Sequence, residues 1–457
     1  MGKSGPKKKE VRMKKNNKSL NKKIYLDYAA STPVDREVLQ TMEPYFSVKF
    51  GNPGSLHSFG QEAITAVDKS REKIAQSINA DFREIIFTGS ATEANNLMLR
   101  GIVEAFSVER LAFSQKNKTL NPKPYTLNSH IIVSAIEHES ILETVRDIEK
   151  RGVARVSIIP VNKNGIVDLK KLKKELNERT ILVSVMYANN EIGTIQPIAE
   201  IAKIIEEYRI QNIKYRKNKD KKSSLCSKSY ILNPIYPLLH TDAVQTFQFL
   251  DCDVQKLGVD LMTLSAHKIY GPKGIGVLYV RSLRPTPHIL HPIITGGGQE
   301  FGLRSGTENV PAIVGFAKAV ELAVKNREKV SKQISELKNY FWRELKKICP
   351  KAEMNGIQSL KPKTYNLKPI THQLPNILNI YFPNYSSHDL LIKLDMSGIA
   401  VSSGSACSMR SSKLSHVLKA LNYSSKRIQN SIRFSFGKYT TKEELKETIK
   451  IIKTISK

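Results

Sequence analysis

The sequence predicts an α/β fold: a large domain on a mostly parallel seven-stranded sheet, followed by a smaller α+β domain. Short apolar runs alternate with helix-period segments such as EANNLMLRGIVEAF and PIAEIAKIIEEYRI over the first two thirds of the chain. Strands that alternate with helices are typical of a parallel sheet with helices on both faces. The predicted strands lie in EIIFTGS, HIIVSAIEH, RVSIIPV, ILVSVMYANN, LLHTDAVQ, LMTLSAHK and GVLYV.

The length of 457 residues suits one large domain and one smaller domain, which we predict as residues 24–316 and 317–457. A basic tail, residues 1–23, precedes them, and residues 24–40 are expected to pack on the small domain. The small domain is predicted to contain a long charged helix (Ala317–Ile348), the strand NILNIYF, the helix HDLLIKLDMSG and the closing segment SIRFSFGKYTTKEELKETIKIIKTI.

The net charge of +30 is concentrated in three segments, residues 1–23, 107–130 and 209–230, which carry +9, +3 and +7. These segments are rich in Asn, Ser and Pro and lack hydrophobic periodicity, so they are predicted to be a tail and two surface insertions. Two interpretations of their charge stay open. The favoured one is a solvated surface, and the other is weak binding of a polyanion.

The composition also excludes several classes of protein. No apolar run is long enough to span a membrane, and the tail lacks the apolar stretch of a secretory signal. The cysteines lie far apart without a CxxC pair, which argues against a disulfide framework or a structural zinc site. We therefore expect a cytoplasmic protein, with an organellar location left open. The cysteines are Cys226, Cys252, Cys349 and Cys407.

The stretch TGSATEANN (Thr88–Asn96) passes from a strand end into a helix start. Gly89 permits a tight turn, and the first helical N–H groups, from Ala91 onward, have no partner within the helix. Such a turn suits an anion, above all a phosphate, and Thr92 adds a hydroxyl. The alternative is an ordinary Ser/Thr cap without a ligand.

Further polar residues follow strands, at the edge where open α/β sheets bind ligands. His138 in SAIEHESIL has a structural alternative, because most histidines after a buried strand are satisfied core residues. Asn189 in YANNEIG is either a donor or a turn former. Asp242 in LLHTDAVQ ends an apolar run, and a buried carboxylate is costly unless it meets a cation or donors. Gln245 lies three residues beyond Asp242.

Lys268 lies between the apolar runs LMTL and VLYV, at the mouth of the sheet. A lysine in a partly desolvated site has a lowered pKa and can form a Schiff base. A phosphate-binding turn, a buried Asp, amide donors, a stacking His and a reactive Lys are the parts needed to hold pyridoxal phosphate. Each part alone is a weak signal, and their order along the chain carries the prediction.

Cys407 in GIAVSSGSACSMRSS differs from the other cysteines, for which a small buried hydrophobe is the expected role. It follows Ser-Ser-Gly-Ser-Ala in a polar loop, and Arg410 and Lys413 favour its thiolate. It is therefore a candidate nucleophile. Arg433 in NSIRFSFGKYTT is suited to bind a carboxylate through two hydrogen bonds, and the alternative is a surface arginine on a strand.

Nine ordered motifs together resemble the cysteine desulfurases of the NifS/IscS class, which are fold-type I pyridoxal-phosphate enzymes of the class V aminotransferase superfamily. The resemblance runs from about Ile24 to the C-terminus and breaks at the two basic insertions. The motifs are YLDYAASTPVD, FGNPGSLHSFG, FTGSATEANN, YANNEIGTIQPI, HTDAVQ, SAHKIYGPKGIGVLYVR, GGGQEFGLRSGTEN, SSGSAC and SIRFSFGKYTT.

The resemblance implies a role for each matching position. Lys268 is similar to the Schiff-base lysine, and His138 to the histidine that stacks on the cofactor ring. Asp242 is similar to the partner of the pyridine nitrogen, and Gln245 to the donor to the phenolic oxygen, with Asn189 close by. The residues similar to phosphate ligands are Ala91, Thr92, Ser265, Ala266, His267 and, from the other subunit of a homodimer, Thr307.

The resemblance also implies the reaction. L-cysteine displaces Lys268 from the cofactor, Lys268 and His138 move protons, and the Cys407 thiolate takes the sulfur as a persulfide while alanine leaves. Asn52, Asn189 and Arg433 are similar to residues that hold the substrate. The SSGSAC form is similar to the long-loop group, which hands sulfur directly to an iron–sulfur scaffold or a tRNA-thiolation acceptor. Cys407 is then also a transient iron–sulfur ligand shared with a scaffold.

Two other functions compete with this interpretation. A selenocysteine lyase has the same fold, and its activity would not depend on Cys407. A basic scaffold or RNA-binding factor is the second, although no catalytic position is missing. The sequence after Cys407, SMRSSKLSH, is more basic than the family pattern, which leaves the choice of acceptor open.

Overall fold

The computed structural model describes most of the chain. Its backbone is described for residues 23–116, 129–220, 236–282, 289–357, 372–404 and 414–455, and its side chains for all of these except 108–116 and 214–220. Cys407 and Cys226, and with them the predicted loop residues Arg410 and Lys413, lie outside the described residues.

The strands are short and buried, as expected for a sheet covered on both faces. In chain order they are β1 (Ile24–Tyr25), β2 (Ile85–Thr88), β3 (Ser129–Ser134), β4 (Ala154–Ile159), β5 (Thr180–Ser184), β6 (Leu238–Asp242), β7 (Leu261–Ser265), β8 (Gly276–Val280), β9 (Glu353–Met354), β10 (Ile377–Tyr381), β11 (Ile399–Ala400) and β12 (Ser431–Ser435).

The helices vary in length from one turn to more than ten. They are α1 (Arg36–Met42), α2 (Pro44–Ser47), α3 (Ser58–Ser77), α4 (Ala91–Lys116), α5 (Glu139–Lys150), α6 (Leu169–Glu175), α7 (Ile198–Asp220), α8 (Val254–Leu257), α9 (Val310–Ile348), α10 (Ser387–Met396), α11 (His416–Ala420), α12 (Ser425–Gln429) and α13 (Lys442–Ile455). Single 3₁₀ turns occur at Phe82–Glu84, Ala266–Lys268 and Glu300–Gly302.

Seven strands of the described chain form the central sheet, in the order β2-β8-β7-β6-β5-β3-β4. The five adjacent strands β7, β6, β5, β3 and β4 are parallel to one another, and β8 runs antiparallel to both β7 and β2. The predicted mostly parallel seven-stranded sheet is therefore confirmed. The parallel strands bring the carboxyl ends of β3, β5, β6 and β7 to one edge, where the predicted site residues follow them.

Side chains that alternate along each strand fill two hydrophobic cores, one on each face of the sheet. On β3, Ile131 and Val133 pack on the face covered by α4 and α5, whereas Ile132 points to the opposite core. On β7, Leu261 and Met262 divide in the same way. Helices α1, α3, α7 and the first half of α9 supply the second core.

The smaller α+β part contains an antiparallel sheet of order β12-β10-β9 and the parallel pair β1 and β11. Ile24 and Leu26, from the start of the described chain, pack in the core of this part. Helix α9 contributes to two cores, the large one through Val310–Ala323 and the small one through Val330–Leu345. The helix predicted from Ala317 thus begins earlier, because the Asn309 side chain caps it by accepting from Ala312 N (3.2 Å).

The two basic segments that we predict as insertions include regular secondary structure. Helix α4 continues to Lys116 and α7 to Asp220, and β3 already begins at Ser129. Arg209, placed in an insertion by its charge, has a side chain only 11% exposed that pairs with Asp260 at 2.5 Å. Neither insertion has a Gly or Pro before the helix ends, and their Lys, Arg and Gln residues favour helix, so each helix extends into it.

No helix within the described ranges is both long and apolar enough to cross a membrane.

Candidate active site

Lys268 ends the 3₁₀ turn that follows β7, and its ammonium group contacts a segment from the start of the chain. The Nζ atom donates hydrogen bonds to the carbonyl oxygens of Ala29 (2.6 Å) and Ala30 (2.7 Å). The side chain of Gln245 also donates to Ala29 O, at 3.0 Å. Lys268 and Gln245, which the sequence placed in one site, therefore meet on the same backbone carbonyl.

The same segment braces the turn that carries Lys268. Thr32 donates to His267 O through its N–H and its hydroxyl, both at 3.0 Å. Its hydroxyl oxygen also accepts from Tyr270 N at 2.8 Å. Tyr270 has a φ of +66°, a conformation that costs energy for a residue with a side chain. The contacts of Thr32 hold this strained backbone two residues beyond Lys268.

Asp242 ends β6 and is 6% exposed, so its carboxylate is desolvated as predicted. Oδ1 accepts from Val244 N (3.0 Å) and Oδ2 from the amide of Asn95 (3.1 Å). Among the described residues Asp242 forms no ion pair, so the carboxylate keeps capacity for a cationic partner at the sheet edge.

A buried polar layer that the sequence reasoning missed lies beneath Asp242. The Asn95 amide oxygen accepts from Thr263 Oγ1 (2.7 Å), and Thr263 contacts His240 Nε2 (3.0 Å). The other ring nitrogen of His240 contacts Ser184 Oγ at 2.9 Å. Burial lowers the pKa of His240 to about 3, so its ring is neutral. The signal was available, because His240 and Thr263 interrupt otherwise apolar strands.

His138 caps α5, with its Nδ1 accepting from Ser140 N at 3.1 Å. Asn95 donates both to Ser140 Oγ (2.8 Å) and to Asp242, so one amide links the histidine and the carboxylate. Burial lowers the pKa of His138, the nearby charge of Lys268 lowers it further, and that of Asp242 opposes the shift. His138 is therefore a neutral imidazole beside the carboxylate.

The residues of the predicted anion site lie in the first turn of α4. Ser90 Oγ accepts from Glu93 N (3.1 Å), and the Glu93 carboxylate accepts from Gly89 N (2.9 Å). The N–H groups of Ala91 and Thr92 lie in that turn, where the helix has no carbonyl for them. Gly276 approaches closely, since a Cβ there would lie 2.7 Å from Ala91 N. Only glycine fits beside this turn.

Arg304 pairs with the Glu93 carboxylate in the first turn of α4, donating to Oε1 at 2.8 Å. Thr307, three residues further along the same loop, is exposed. Of the other predicted phosphate ligands, Ser265 and Ala266 are buried at the end of β7. Burial lowers the pKa of His267 to about 4, which leaves a neutral ring able to donate an N–H.

Arg433 on β12 is 1% exposed, so the alternative of a surface arginine is wrong. Its guanidinium donates to Asn190 O (2.9 Å) and to Asp27 Oδ1 (2.7 Å). Asn189 is fully buried: its amide oxygen accepts from Glu191 N (2.8 Å), and its amide nitrogen donates to the carbonyl of Ile136, which lies two residues before His138. These hydrogen bonds show Asn189 as a turn former, and its role as a donor to a ligand stays a prediction.

Asn52 lies apart from this cluster in the described chain. Its side chain is exposed and accepts from Gly54 N at 2.9 Å, which forms a tight turn. Of the other cysteines, Cys252 is buried, and burial raises its pKa to about 12, so it has the expected role of a small core residue. Cys349 is partly exposed at the end of α9.

The residues present fit pyridoxal phosphate. A buried carboxylate without an ion pair suits a protonated ring nitrogen, Lys268 suits the aldehyde carbon, and the first turn of α4 suits the phosphate. No group of three or more His, Cys, Asp or Glu residues in the described ranges is arranged to hold a metal ion.

Comparison with known proteins decides the family. Residues 24–212 and 236–447 match the family Aminotransferase class-V. The chain is 41% identical over 436 residues to "Cysteine desulfurase IscS" of Dictyoglomus turgidum, covering 95% of each chain. The chain is a cysteine desulfurase of the class-V aminotransferase family.

Other relatives extend the comparison for this desulfurase. It is 40% identical to "Cysteine desulfurase, mitosomal" of Trachipleistophora hominis, over 94% of this chain and 85% of the relative. The structure of a "NIFS-LIKE PROTEIN" has a TM-score of 0.75 at 35% identity, covering 95% of this chain and 99% of that one. "SspA in complex with cysteine" has a TM-score of 0.66 at 31% identity, covering 92% and 100%. The predicted family and its fold-type I architecture are confirmed.

Proposed function

We propose that this desulfurase uses pyridoxal phosphate to take sulfur from L-cysteine, releases L-alanine, and carries the sulfur as a persulfide on Cys407. The convergence of Lys268, His138 and Asp242 at one edge of the sheet is the observation that carries the proposal. Pyridoxal phosphate, when bound, accepts the electron pairs that leave the substrate. A solved relative named as a complex with cysteine supports the choice of substrate.

The described residues divide the work of holding the cofactor. Asp242 would pair with the ring nitrogen, and Asn95 fixes that carboxylate from below. Gln245 would donate to the phenolic oxygen. The phosphate would be held at the first turn of α4 and by residues after β7. Those proposed phosphate ligands are Ala91, Thr92, Ser265, Ala266 and His267.

Lys268 and His138 are the residues proposed to transfer protons. In the structure the Lys268 ammonium is held by two backbone carbonyls, which provide a resting place when the lysine is not bonded to the cofactor. His138 is neutral because burial lowers its pKa, and with Nδ1 accepting from Ser140 N the ring proton lies on Nε2, from which it can be relayed.

Sulfur transfer is assigned to the Cys407 thiolate. It attacks the substrate sulfur and forms a sulfur–sulfur bond while the substrate carbon–sulfur bond breaks. The bonding electron pair stays with the substrate, which gains a proton and leaves as alanine. Arg433, Asn189 and Asn52 are proposed to hold the substrate. A substrate carboxylate at Arg433 has to share the guanidinium with Asp27.

A second copy of the chain is proposed to complete the site with Thr307. Large apolar side chains are exposed around Asn52, including Phe46 (64%), Phe50 (65%) and Leu56 (93%). A cluster of this kind favours a protein–protein interface. We therefore infer a homodimer that covers this surface.

An iron–sulfur scaffold or a tRNA-thiolation acceptor remains the proposed recipient of the sulfur, with Cys407 as a transient iron–sulfur ligand in the first case. The proposed location is cytoplasmic, with an organelle as the alternative. The relative named as mitosomal supports that alternative.

The test compares purified protein with its Lys268→Ala and Cys407→Ser variants. We expect cofactor absorbance that shifts with L-cysteine, loss of that absorbance shift in Lys268→Ala, and loss of alanine formation in both variants. Turnover of selenocysteine or cysteine that persists in Cys407→Ser would instead establish a lyase.

A further inference from the structure

We propose that Glu191 is a positioning residue for sulfur transfer, because its buried carboxylate holds together the two ends of the segment that carries Cys407. The inference rests on the proposed function, in which Cys407 receives the sulfur. It concerns the described residues on either side of Cys407.

Glu191 lies in the turn after β5 and is 1% exposed. Its Oε2 accepts from Ser415 Oγ at 2.5 Å, and within the described chain Oε1 is buried without a hydrogen-bond partner. Burying a carboxylate with so few donors costs free energy and does not improve folding. A functional reason for this residue is therefore the simpler explanation.

The other end of the segment reaches the same oxygen. A Cβ built on Gly404 would lie 3.5 Å from Glu191 Oε2 and 3.8 Å from Ser415 Cβ, so Gly404 lies beside both residues. Ser402, just before it, is fixed by a backbone pair with Arg433, whose N donates to Ser402 O at 2.6 Å. Gly404 and Ser415 are thus brought together at one acidic group.

We call Glu191, Ser415 and Gly404 together the footing of the Cys407 segment. The position of this footing limits where the sulfur acceptor can be. Cys407 is only three residues beyond Gly404 in the sequence, so a short stretch of chain joins it to the footing. A shift of the footing therefore moves the thiol relative to the substrate sulfur. Misplacement by about 1 Å is enough to reduce a rate up to about 100-fold.

The footing is also joined to the substrate site. Asn189 accepts from Glu191 N, and Asn190 O accepts from Arg433 at 2.9 Å, so one turn contacts both the proposed carboxylate ligand and the footing. On the other side, His416 Nε2 contacts Glu137 O at 2.9 Å, one residue before His138. The backbone of this turn therefore contacts the proposed substrate site, whereas the carboxylate of Glu191 contacts the footing.

The experiment uses two substrates that differ in their need for Cys407. L-cysteine requires a thiolate to accept its sulfur, whereas L-cysteine sulfinate plus water gives alanine plus sulfite without any acceptor. The variants are Glu191→Ala, Glu191→Gln and Ser415→Ala, all assayed as the holoenzyme. Ser157→Ala is the matched control, because it removes a Ser–Glu hydrogen bond (2.9 Å) on β4, the edge strand of the central sheet.

For Glu191→Ala we expect alanine formation from cysteine to fall about 10-fold to 100-fold. Sulfinate turnover and the cofactor absorbance shift should stay at the wild-type level. Ser415→Ala should show the same pattern more weakly. Glu191→Gln keeps an oxygen that accepts from Ser415, so it should retain most of the cysteine turnover. Ser157→Ala should leave the turnover of both substrates unchanged.

Equal loss with both substrates, or unchanged cysteine turnover in Glu191→Ala and Ser415→Ala, would overturn the positioning role. If Glu191→Ala does not fold, the ratio of cysteine turnover to sulfinate turnover in Ser415→Ala tests the positioning role instead. Failure of the proposed function has a separate signature, which is cysteine turnover that persists in Cys407→Ser whatever the Glu191 variants do.

Discussion

The edge of the central sheet and the footing of the Cys407 segment are built in different ways. At the sheet edge, Asp242 ends β6 and Lys268 follows the neighbouring parallel strand β7, and Asn95 and Thr263 support Asp242 from beneath. At the footing, Glu191 meets a serine that is 224 residues away along the chain. The difference suggests that the rigid sheet positions the cofactor chemistry, whereas contacts between distant segments position the sulfur acceptor.

The largest effect is expected at the sheet edge. Asp242→Asn removes the negative charge proposed to keep the ring nitrogen protonated, and we expect turnover to fall about 100-fold or more. Both cysteine and cysteine sulfinate should be affected equally, because both need the cofactor. A selective loss of cysteine turnover alone would contradict the comparison, since that pattern belongs to the footing.

Arg433 joins the two regions, and Arg433→Lys should mainly weaken substrate binding. Lysine cannot reproduce the planar contacts of the guanidinium, so we expect KM for L-cysteine to rise about 10-fold with a smaller change in kcat. Arg427→Lys is the control, because that guanidinium pairs with Glu353 at the surface of the small domain. A fall in kcat without a change in KM would place Arg433 in a structural role.

The sheet and most of its edge could be predicted from the sequence because their signals are local. Apolar runs mark the strands, and a charged residue such as Asp242 or Lys268 directly after a run marks the carboxyl edge. Asn95 gave no such signal, since its contacts depend on how α4 packs over β6 and β7. Glu191 and Ser415 are ordinary polar residues until the fold brings them together.

The helical parts of the two basic segments gave no signal in the sequence. Their charge and their lack of periodicity predicted surface insertions, and α4 and α7 extend into them because helix propagation needs only residues that tolerate helix. The ends of both helices lead toward the amino ends of β3 and β6, away from the edge that holds Lys268.

A pH-dependent prediction concerns Glu137, which is fully buried between the two regions. Burial raises its pKa from 4.5 to about 8. The folded state then keeps a proton that the unfolded state releases above pH 4.5, so this group lowers stability as pH rises from about 4.5 to about 8. Glu137→Gln should remove this loss of stability at higher pH.

Urea unfolding at pH 5 and pH 8.5 measures the effect of Glu137→Gln. Relative to wild type, the variant should gain about 2–4 kcal/mol of unfolding free energy between the two pH values. An equal difference at both pH values would mean that the carboxyl is not protonated in the folded protein near neutral pH.

The smallest effect on catalysis is expected from the basic tail. Deleting residues 1–22 should leave cysteine turnover unchanged and weaken retention on an RNA column at low salt, because phosphate contacts of this kind are salt-dependent. Retention that does not change on deletion would leave the tail's charge as a solvated surface, and lost turnover would connect the tail to the site.

The central claim is that the sheet edge activates the substrate and Cys407 accepts its sulfur. The most direct measurement is the mass of the intact protein, and of its peptides, after one turnover with L-cysteine and no reductant. We predict one added sulfur atom per subunit, located on Cys407 and absent from Cys407→Ser. Added sulfur on Cys226, Cys252 or Cys349, or alanine release without any added sulfur, would contradict the account.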